Sequence, residues 1–401
     1  MRYNQYIQSR QSASVHNIPL ELLYNFFEHL DNHSIRACTL VCERWRLISQ
    51  RLLFRAPRLS DLASLDSFCR LVDCNPDLAN AVRDLHIRGK TDYSSMRPTP
   101  WILQVPLRLL NLLPNLRSIT FDQIERVQFS ADFWTELEKF TPKVTSLTIK
   151  ASRFYFDTDL RDLIFAFPNL TSLTLSNVHW GRADETVCPP PRWGRILPLR
   201  TLRLNHVPGR SEYVTLFDWL SRSKTVRELE VLQYSHEAFD LLVNYLHQLA
   251  DKGRSLLESF SFSPSAVLYG RDYVVTYPEL GAALRRHVLL RDLHLHIPNM
   301  MNGPMAWVPR LLRDLDPAPL THIALDFTLD VDNADHLTPD WSETNSRLQS
   351  QWRKTLQKVT LTHYPVGHFL SDSTAQYILT TRLEHLNERK MLDVFIGERY
   401  G

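Results

Sequence analysis

VTSLTI at residues 144–149 and LTSLTL at residues 170–175 are two copies of one six-residue pattern, with apolar residues in the first, fourth and sixth places. The alternation of apolar and polar residues in it predicts a short strand with one buried face. Nine further copies are VRDLHI at 82, LRSITF at 116, LRTLRL at 199, VRELEV at 226, LESFSF at 257, LRDLHL at 290, LTHIAL at 320, LQKVTL at 356 and MLDVFI at 391. Successive copies start 26 to 36 residues apart, a period typical of solenoid proteins.

The segments between these strands carry helical patterns, for example ADFWTELEKF from 131 and EAFDLLVNYLHQLADKG from 237. A strand, a helix and a further strand within one such period predict parallel strands with right-handed crossovers. Many units in succession predict an α/β solenoid, with parallel strands on the concave face and helices on the convex face. The middle column of outward-pointing strand residues is predicted to hold His86, Thr120, Thr148, Thr174, Arg203, Glu230, Ser261, His294, Ala324, Thr360 and Phe395.

Composition excludes several classes of function. The 401 residues carry a net charge of only +2, which argues against binding to a nucleic-acid backbone. The five cysteines include no CxxC pair, and no apolar run approaches the ~18 residues that span a bilayer. Phosphate-binding, hydrolase and zinc-protease motifs do not occur. We therefore expect a cytoplasmic or nuclear protein without a signal peptide, enzymatic activity, cofactor or metal, and with neither nucleic acid nor membrane as a partner.

Residues 18–55 do not follow the repeat. Pro19 precedes ELLYNFFEHL, where Leu22, Phe26 and Leu30 fall at helical spacing on one face. Further apolar residues recur at three- and four-residue steps from Ile35 to Leu52, which predicts two or three short amphipathic helices. So small a unit buries little apolar surface by itself, and part of that surface is expected to meet a partner.

Within this segment, VCERW at 41–45 places a cysteine three residues before a tryptophan. One interpretation makes Cys42 a small buried hydrophobe and Trp45 an anchor at an interface. A second makes both of them core residues of a helical cap on the solenoid. A reactive or metal-binding thiol is the third.

IPLELLYNFFEHL, followed by LVCERWR, resembles an F-box, whose pattern begins Leu-Pro-x-Glu-Leu and ends Val-Cys-x-x-Trp. The repeats resemble irregular leucine-rich repeats, and an F-box followed by such repeats is a familiar arrangement in fungal proteins. The resemblance implies a substrate-recognition adaptor of an SCF-type cullin–RING ubiquitin ligase, which docks on a Skp-family adaptor. Carried over position by position, the adaptor contacts would be Ile18, Pro19, Leu22, Val41, Cys42 and Trp45.

This interpretation divides the chain into a flexible tail at 1–14, an F-box at 15–60, a linking helix at 61–80 and an irregular leucine-rich-repeat domain of about eleven units at 81–401. The alternative is a ligase-independent scaffold that binds proteins through the solenoid, with the helical segment as its N-terminal cap. A cap would bury Pro19, Leu22 and Trp45 against the first repeat, whereas a docking module would leave an apolar patch exposed.

The residues that we expect to contact an unknown target protein are charged or imidazole side chains on the later strands. They are Arg203, Glu228, Glu230, Asp292, His294, His296, His322 and Asp326. In-register strands would place His322 beside Asp292 and Asp326 beside His296. A solvated face, a polar recognition patch and a zinc site all remain open for this cluster. An enzyme built on it is a further rival, but no closed ligand geometry can be inferred from the sequence, so no metal is assigned.

Overall fold

The computed structural model describes most of the chain. The described residues are 18–89, 100–125, 129–181, 196–206, 209–223, 225–234, 238–250, 255–264, 273–297, 307–315, 319–327, 338–352, 354–364, 373, 376–377, 380–381 and 383–396. The predicted flexible tail at residues 1–14 lies outside them.

The strands form one parallel sheet in which every strand pairs with its neighbours in the sequence. Within the described residues they are β1 Arg58–Leu59, β2 Asp84–Arg88, β3 Ser118–Asp122, β4 Ser146–Phe154, β5 Ser172–Trp180, β6 Thr201–Asn205, β7 Glu228–Tyr234, β8 Ser259–Pro264, β9 Asp292–Ile297, β10 His322–Phe327, β11 Lys358–His363 and β12 Leu392–Ile396. All eleven predicted strands are confirmed as β2–β12. The two-residue β1 is too short to show a period in the sequence.

Helices precede the sheet and connect its strands. They are α1 Leu20–Glu28, α2 Asn32–Cys38, α3 Glu43–Leu53, α4 Leu62–Cys74, α5 Pro76–Ala81, α6 Gln104–Arg108, α7 Ala131–Phe140, α8 Asp157–Phe165, α9 Arg210–Leu220, α10 Phe239–Ala250, α11 Tyr273–Leu284, α12 Trp307–Asp314, α13 Thr338–Gln351 and α14 Glu384–Glu388. No helix in the described part of the chain is long and apolar enough to cross a membrane. Strands that alternate with helices in sequence order are consistent with an α/β solenoid.

The two faces of the sheet differ in burial. In β4, Leu147 and Ile149 are fully buried, whereas Ser146 and Thr148, which alternate with them, are partly exposed. The buried residues of successive strands join the connecting helices in one continuous hydrophobic core that extends from Leu59 to Leu392. The other face, here called the open face, carries the alternating polar residues.

The last strand departs from the predicted frame. Thr360 pairs with Asp393, and Phe395 pairs with Thr362. The middle column of the open face therefore ends in Asp393, and the prediction of Phe395 at that place was wrong. The alternating apolar residues of MLDVFI fit two frames that differ by two residues, and pairing with β11 selects the earlier one, in which Leu392 lies opposite Val359.

One main-chain carbonyl in each unit links it to the next. The Arg117 carbonyl, just before β3, accepts hydrogen bonds from the Thr145 and Ser146 amides at 2.9 and 3.1 Å. The first carbonyl of this series belongs to Arg55, which accepts from the Arg83 and Asp84 amides at the same two distances. Arg55 directly follows Phe54, the C-cap residue of α3. The ladder of the solenoid thus begins at the end of α3, and α4 and α5 occupy the range of the predicted linking helix, between β1 and β2.

Candidate functional site

The three N-terminal helices enclose a small core of their own. Leu23, Phe27 and Ile48 are buried there, and the rings of Phe27 and Trp45 meet edge to face with centroids 4.9 Å apart. Around them pack the partly buried side chains of Tyr24, Leu30, Cys38, Trp45 and Leu52. The indole nitrogen of Trp45 is buried as well, so this tryptophan belongs largely to the core that holds α1 against α3.

Helix α1 is apolar on two sides. Leu23 and Phe27 point into the small core, whereas the side chains of Leu22 and Phe26 are 58% and 59% exposed. The predicted face of Leu22, Phe26 and Leu30 is therefore divided, because Leu30 packs against the core. Because α1 has apolar residues at 22 and 23 and again at 26 and 27, its apolar arc is wider than one contact with the core can cover. Leu22 and Phe26 are the part of this arc that remains exposed.

The chain between α2 and α3 exposes a second apolar group. Leu40 and Val41 lie in the turn, 87% and 60% exposed. Cys42 is the N-cap position of α3, and its carbonyl accepts a hydrogen bond from the Arg46 amide at 2.8 Å. Val41 and Cys42 therefore do not lie within a helix, and the predicted stripe from Ile35 to Leu52 is interrupted. Two or three short helices were expected in this segment, and the structure has three, α1, α2 and α3.

A side-chain contact joins the beginning of α1 to the first turn of α3. Arg44 donates a hydrogen bond from Nη2 to the Ile18 carbonyl oxygen at 2.5 Å. It brings Ile18 and Pro19 to the end of α3 where Val41 and Cys42 lie. The exposed large apolar residues of these helices and their turns, here called the exposed apolar set, are Ile18, Leu20, Leu22, Phe26, Leu40, Val41 and Leu47.

The cysteines of this region show no sign of reactivity. Burial raises the pKa of the Cys38 thiol, which disfavours the nucleophilic thiolate. Cys42 is partly buried, and the described residues include no group of three metal-ligating side chains that contains it. A role as a small apolar residue suits this environment better than a thiol chemistry.

The predicted target-binding residues lie on the strands in two clusters. The first spans β6 and β7, where Arg203 Nε and Glu230 Oε2 are 3.3 Å apart. Thr201 donates a hydrogen bond to Glu228 Oε2 at 3.1 Å. These charged groups are well exposed, so the cluster is open to solvent.

The second cluster spans β9 and β10, and here the predicted register is confirmed. His322 pairs with Asp292, and Asp326 pairs with His296. Asp326 Oδ2 lies 2.9 Å from both His294 Nε2 and His296 Nδ1, and the two imidazole rings are 4.0 Å apart. His322 interacts with Thr360 Oγ1 at 2.9 Å and with Asp292 Oδ1 at 3.8 Å.

Burial and charge act in opposite directions on this cluster. Burial favours the neutral form of Asp326, but the adjacent imidazoles of His294 and His296 outweigh it and hold the pKa of Asp326 well below its usual range. Burial lowers the pKa of His322, and the nearby Asp292 opposes that shift. The carboxylate of Asp326 is thus ionised over the physiological pH range.

A similar arrangement on β1–β3 was not selected from the sequence. Arg58 Nε donates to His86 Nδ1 at 3.0 Å, and His86 Nε2 lies 3.3 Å from Asp122 Oδ2. Arg88 Nε lies 3.9 Å from the same carboxylate oxygen. Arg58 belongs to the strand that the sequence did not predict, whereas the pairing of Arg88 with Asp122 follows from aligning VRDLHI with LRSITF.

Comparison with protein families identifies the N-terminal region. Residues 15–60 match the model of the F-box-like family. No curated protein matches the chain. The match confirms the F-box resemblance, and the segment it covers contains α1–α3, the exposed apolar set and Arg55, at which the ladder of the sheet begins.

Proposed function

We propose that this chain is the substrate-recognition adaptor of an SCF-type cullin–RING ubiquitin ligase. Its F-box docks on a Skp-family adaptor, and its repeats, which we take to be irregular leucine-rich repeats, bind a target protein. The match of residues 15–60 to the F-box-like family supports the first part, because such domains typically serve as adaptors. The parallel sheet with one open polar face supports the second.

The exposed apolar set is the observation that carries this proposal. Leu22 and Val41 are more than half exposed, and Pro19 is exposed as well. A helical cap would bury Pro19, Leu22 and Trp45 against the first repeat. Pro19 and Leu22 are instead exposed, and Trp45 packs on Phe27 of α1, which disfavours the scaffold alternative. Burying one leucine-sized side chain contributes roughly 1.5–3 kcal/mol.

The proposed contacts fall into two roles. Ile18, Pro19, Leu22, Val41 and Cys42 lie at or near one end of the helix pair and would touch the Skp-family adaptor directly. Trp45 would support this surface indirectly, since its ring packs on Phe27 and keeps α1 against α3. Substituting Trp45 would therefore disturb the fold together with the surface, and it is a poor test of docking by itself.

The proposed mechanism is proximity. The chain supplies no catalytic group; it holds a target lysine near a ubiquitin-carrying enzyme and so raises its effective concentration. The direct connection from α3 to the Arg55 carbonyl and β2 suits that role, because it fixes the docking helices relative to the first repeat. The target is proposed to lie across the open face, near the β6–β7 and β9–β10 clusters.

Co-expression with a Skp-family adaptor tests the docking. The Leu22→Glu/Val41→Glu variant places two charges in the exposed apolar set without touching the small core. The matched control is Val288→Glu, because Val288 is 64% exposed but lies in the repeats between α11 and β9.

We expect wild type and Val288→Glu to co-purify with the adaptor in equimolar amounts, whereas the double variant stays folded and loses it. Buried charge without a partner costs several kcal/mol, enough to abolish a micromolar complex. A folded wild-type chain that ignores the adaptor, or a double variant that binds it as well as wild type, would overturn the proposal.

A further inference from the structure

The β9–β10 cluster has the composition and spacing of a metal site. Among the described residues, His294, His296 and Asp326 form the group whose ligand atoms all lie within 4.8 Å of one another. The ligand atoms are two imidazole nitrogens and one carboxylate oxygen, a set that suits zinc and neighbouring divalent metals. In-register pairing of two strands holds all three residues, so their backbones are fixed by the sheet.

The charge of Asp326 points to a cation at this place. The residue is only 7% exposed, yet its ionic partners among the described residues are the two histidines. A carboxylate removed from water needs compensating positive charge, and a divalent ion between the three side chains would supply it.

A further contact supports one of the rings from behind. His296 turns Nδ1 toward Asp326, while its other nitrogen, Nε2, lies 3.3 Å from Ser261 Oγ on β8. Metal-bound histidines almost always have their second nitrogen held in this way, which sets the ring orientation. The arrangement therefore includes a supporting group as well as the ligands.

The present distances need little adjustment. The two nitrogens lie 2.9 Å from Asp326 Oδ2. Tetrahedral ligands at zinc bond lengths of 2.0–2.1 Å are about 3.3 Å apart. Each of these two nitrogen–oxygen pairs must separate by about 0.4 Å, which small rotations of the partly exposed imidazole rings allow.

We propose that His294 Nε2, His296 Nδ1 and Asp326 Oδ2 bind one divalent transition-metal ion, with zinc as the reference ion. Three protein ligands leave a tetrahedral ion one position for a water molecule or a donor atom of another molecule. Both imidazole rings are partly exposed on the open face, whereas His294 Nε2 itself is buried and has no hydrogen-bond partner among the described residues. The metal site itself does not depend on the adaptor proposal.

Zinc binding to the untagged full-length chain tests the proposal. The protein, with its Skp-family adaptor if it requires one, is dialysed against a micromolar zinc buffer and its metal content is measured. The variants are His294→Ala and the shape-preserving Asp326→Asn. The matched control is His86→Ala, because His86 faces one carboxylate of the same open face at 3.3 Å but has no second histidine beside it.

We expect one zinc per chain in wild type and in His86→Ala, and none in the two ligand variants. Cobalt should give visible absorption bands that these variants lose. Ser261→Ala should weaken zinc binding about 10-fold, as loss of a supporting group commonly does.

Equal zinc content in wild type and Asp326→Asn would overturn the metal site, as would less than equimolar zinc in wild type. Thermal unfolding of the zinc-free proteins checks that the variants fold. Because adaptor co-purification depends on residues 18–47, its result is independent: a chain that binds zinc without the adaptor refutes only the docking proposal, and the reverse result refutes only the metal site.

Discussion

Residues 18–53 fold into three helices that leave seven large apolar side chains exposed, whereas eleven are spread over the rest of the described chain. The helices have three buried residues in their own core cluster. The repeats share one continuous core, which extends from Leu59 on β1 to Leu392 on β12. Both regions are rich in leucine, so the difference lies in where the apolar side chains point.

That difference shows how each region obtains its stability. Each repeat covers the apolar surface of its neighbour, so the solenoid buries most of its apolar side chains within itself. The helical region is too small to do so, and a unit of this size is marginal alone. Its remaining stability must come from the junction with the solenoid and, in the proposed complex, from the Skp-family adaptor.

Removing one phenylalanine from each region gives the largest expected effect. Phe27 and Phe260 are both fully buried, and phenylalanine-to-alanine changes in cores cost about 3–5 kcal/mol. Phe27→Ala removes one of only three buried residues in the small core, so α1–α3 should unfold while the repeats remain intact. Phe260→Ala should lower the stability of the repeats and leave α1–α3 folded.

Hydrogen exchange resolved by segment would measure both outcomes, with adaptor binding as a second readout. Adaptor binding should disappear in Phe27→Ala and persist in Phe260→Ala below its unfolding transition. If Phe27→Ala instead weakens protection evenly from α1 to β12, the two regions form one cooperative unit and the contrast drawn above is wrong.

Acid should destabilise the repeats but not the N-terminal helices, and this is the next largest expected effect. Burial lowers the pKa of His287, which precedes β9, to about 4, against ~6.5 in an unfolded chain. Between pH 6.5 and 4 the unfolded state therefore binds a proton that the folded state does not. Stability is complete above pH 6.5 and declines toward pH 4, by roughly 3 kcal/mol in total.

His287→Leu should flatten the pH dependence of repeat unfolding in this interval, measured by denaturant titration at several pH values. His206→Leu is the control, because His206 is exposed and lies in a turn after β6. An unchanged slope in His287→Leu would mean that other groups cause the acid sensitivity.

The repeats could be predicted from the sequence because burial on one face imposes the same alternation on every strand. Their register also followed, as the pairing of His322 with Asp292 confirms. The prediction was wrong for Phe395, because the apolar residues of MLDVFI fit two frames that differ by two residues. Unequal repeat lengths give no independent way to choose between them.

The helical region was harder to predict in detail. At helical spacing, Leu22 with Phe26 and Leu23 with Phe27 are equally good apolar pairs. Contact with Trp45 and Ile48 on α3 determines that Leu23 and Phe27 are the buried pair, and the spacing of apolar residues along α1 carries no information about that contact. The convergence of His294 and His296 on one oxygen of Asp326 likewise depends on side-chain rotation, although their shared face was predictable.

Asp159 provides a smaller effect of opposite sign to that of His287. Burial in the first turn of α8 raises its pKa to about 6, above the unfolded value of ~3.9. The stability that its proton contributes at low pH is lost as pH rises through 6. Asp159→Asn should therefore stabilise the repeats at pH 7 by ~1–2 kcal/mol, a range discounted for partial exposure.

Thermal unfolding at pH 7 and pH 4 measures this gain, which should be present at pH 7 and absent at pH 4. Asp132→Asn in α7 is the control, because Asp132 is exposed in the same turn of the neighbouring helix. An Asp159→Asn protein that is less stable at pH 7 would show that the carboxylate has a favourable role there.

Substitutions in the ion pair at the junction between the two regions should change stability least. Arg55 Nη1 and Glu28 Oε1 are 2.7 Å apart and link α1 to the end of α3, but both side chains are substantially exposed. Pairs of this kind contribute about 0.2–1 kcal/mol, so Glu28→Gln should change the thermal midpoint little and leave adaptor binding intact. The Arg55 carbonyl, which holds β2, is unaffected by this change. A large loss of protection confined to α1–α3 would instead show that the side-chain pair, and not the main-chain ladder, couples the helices to the solenoid.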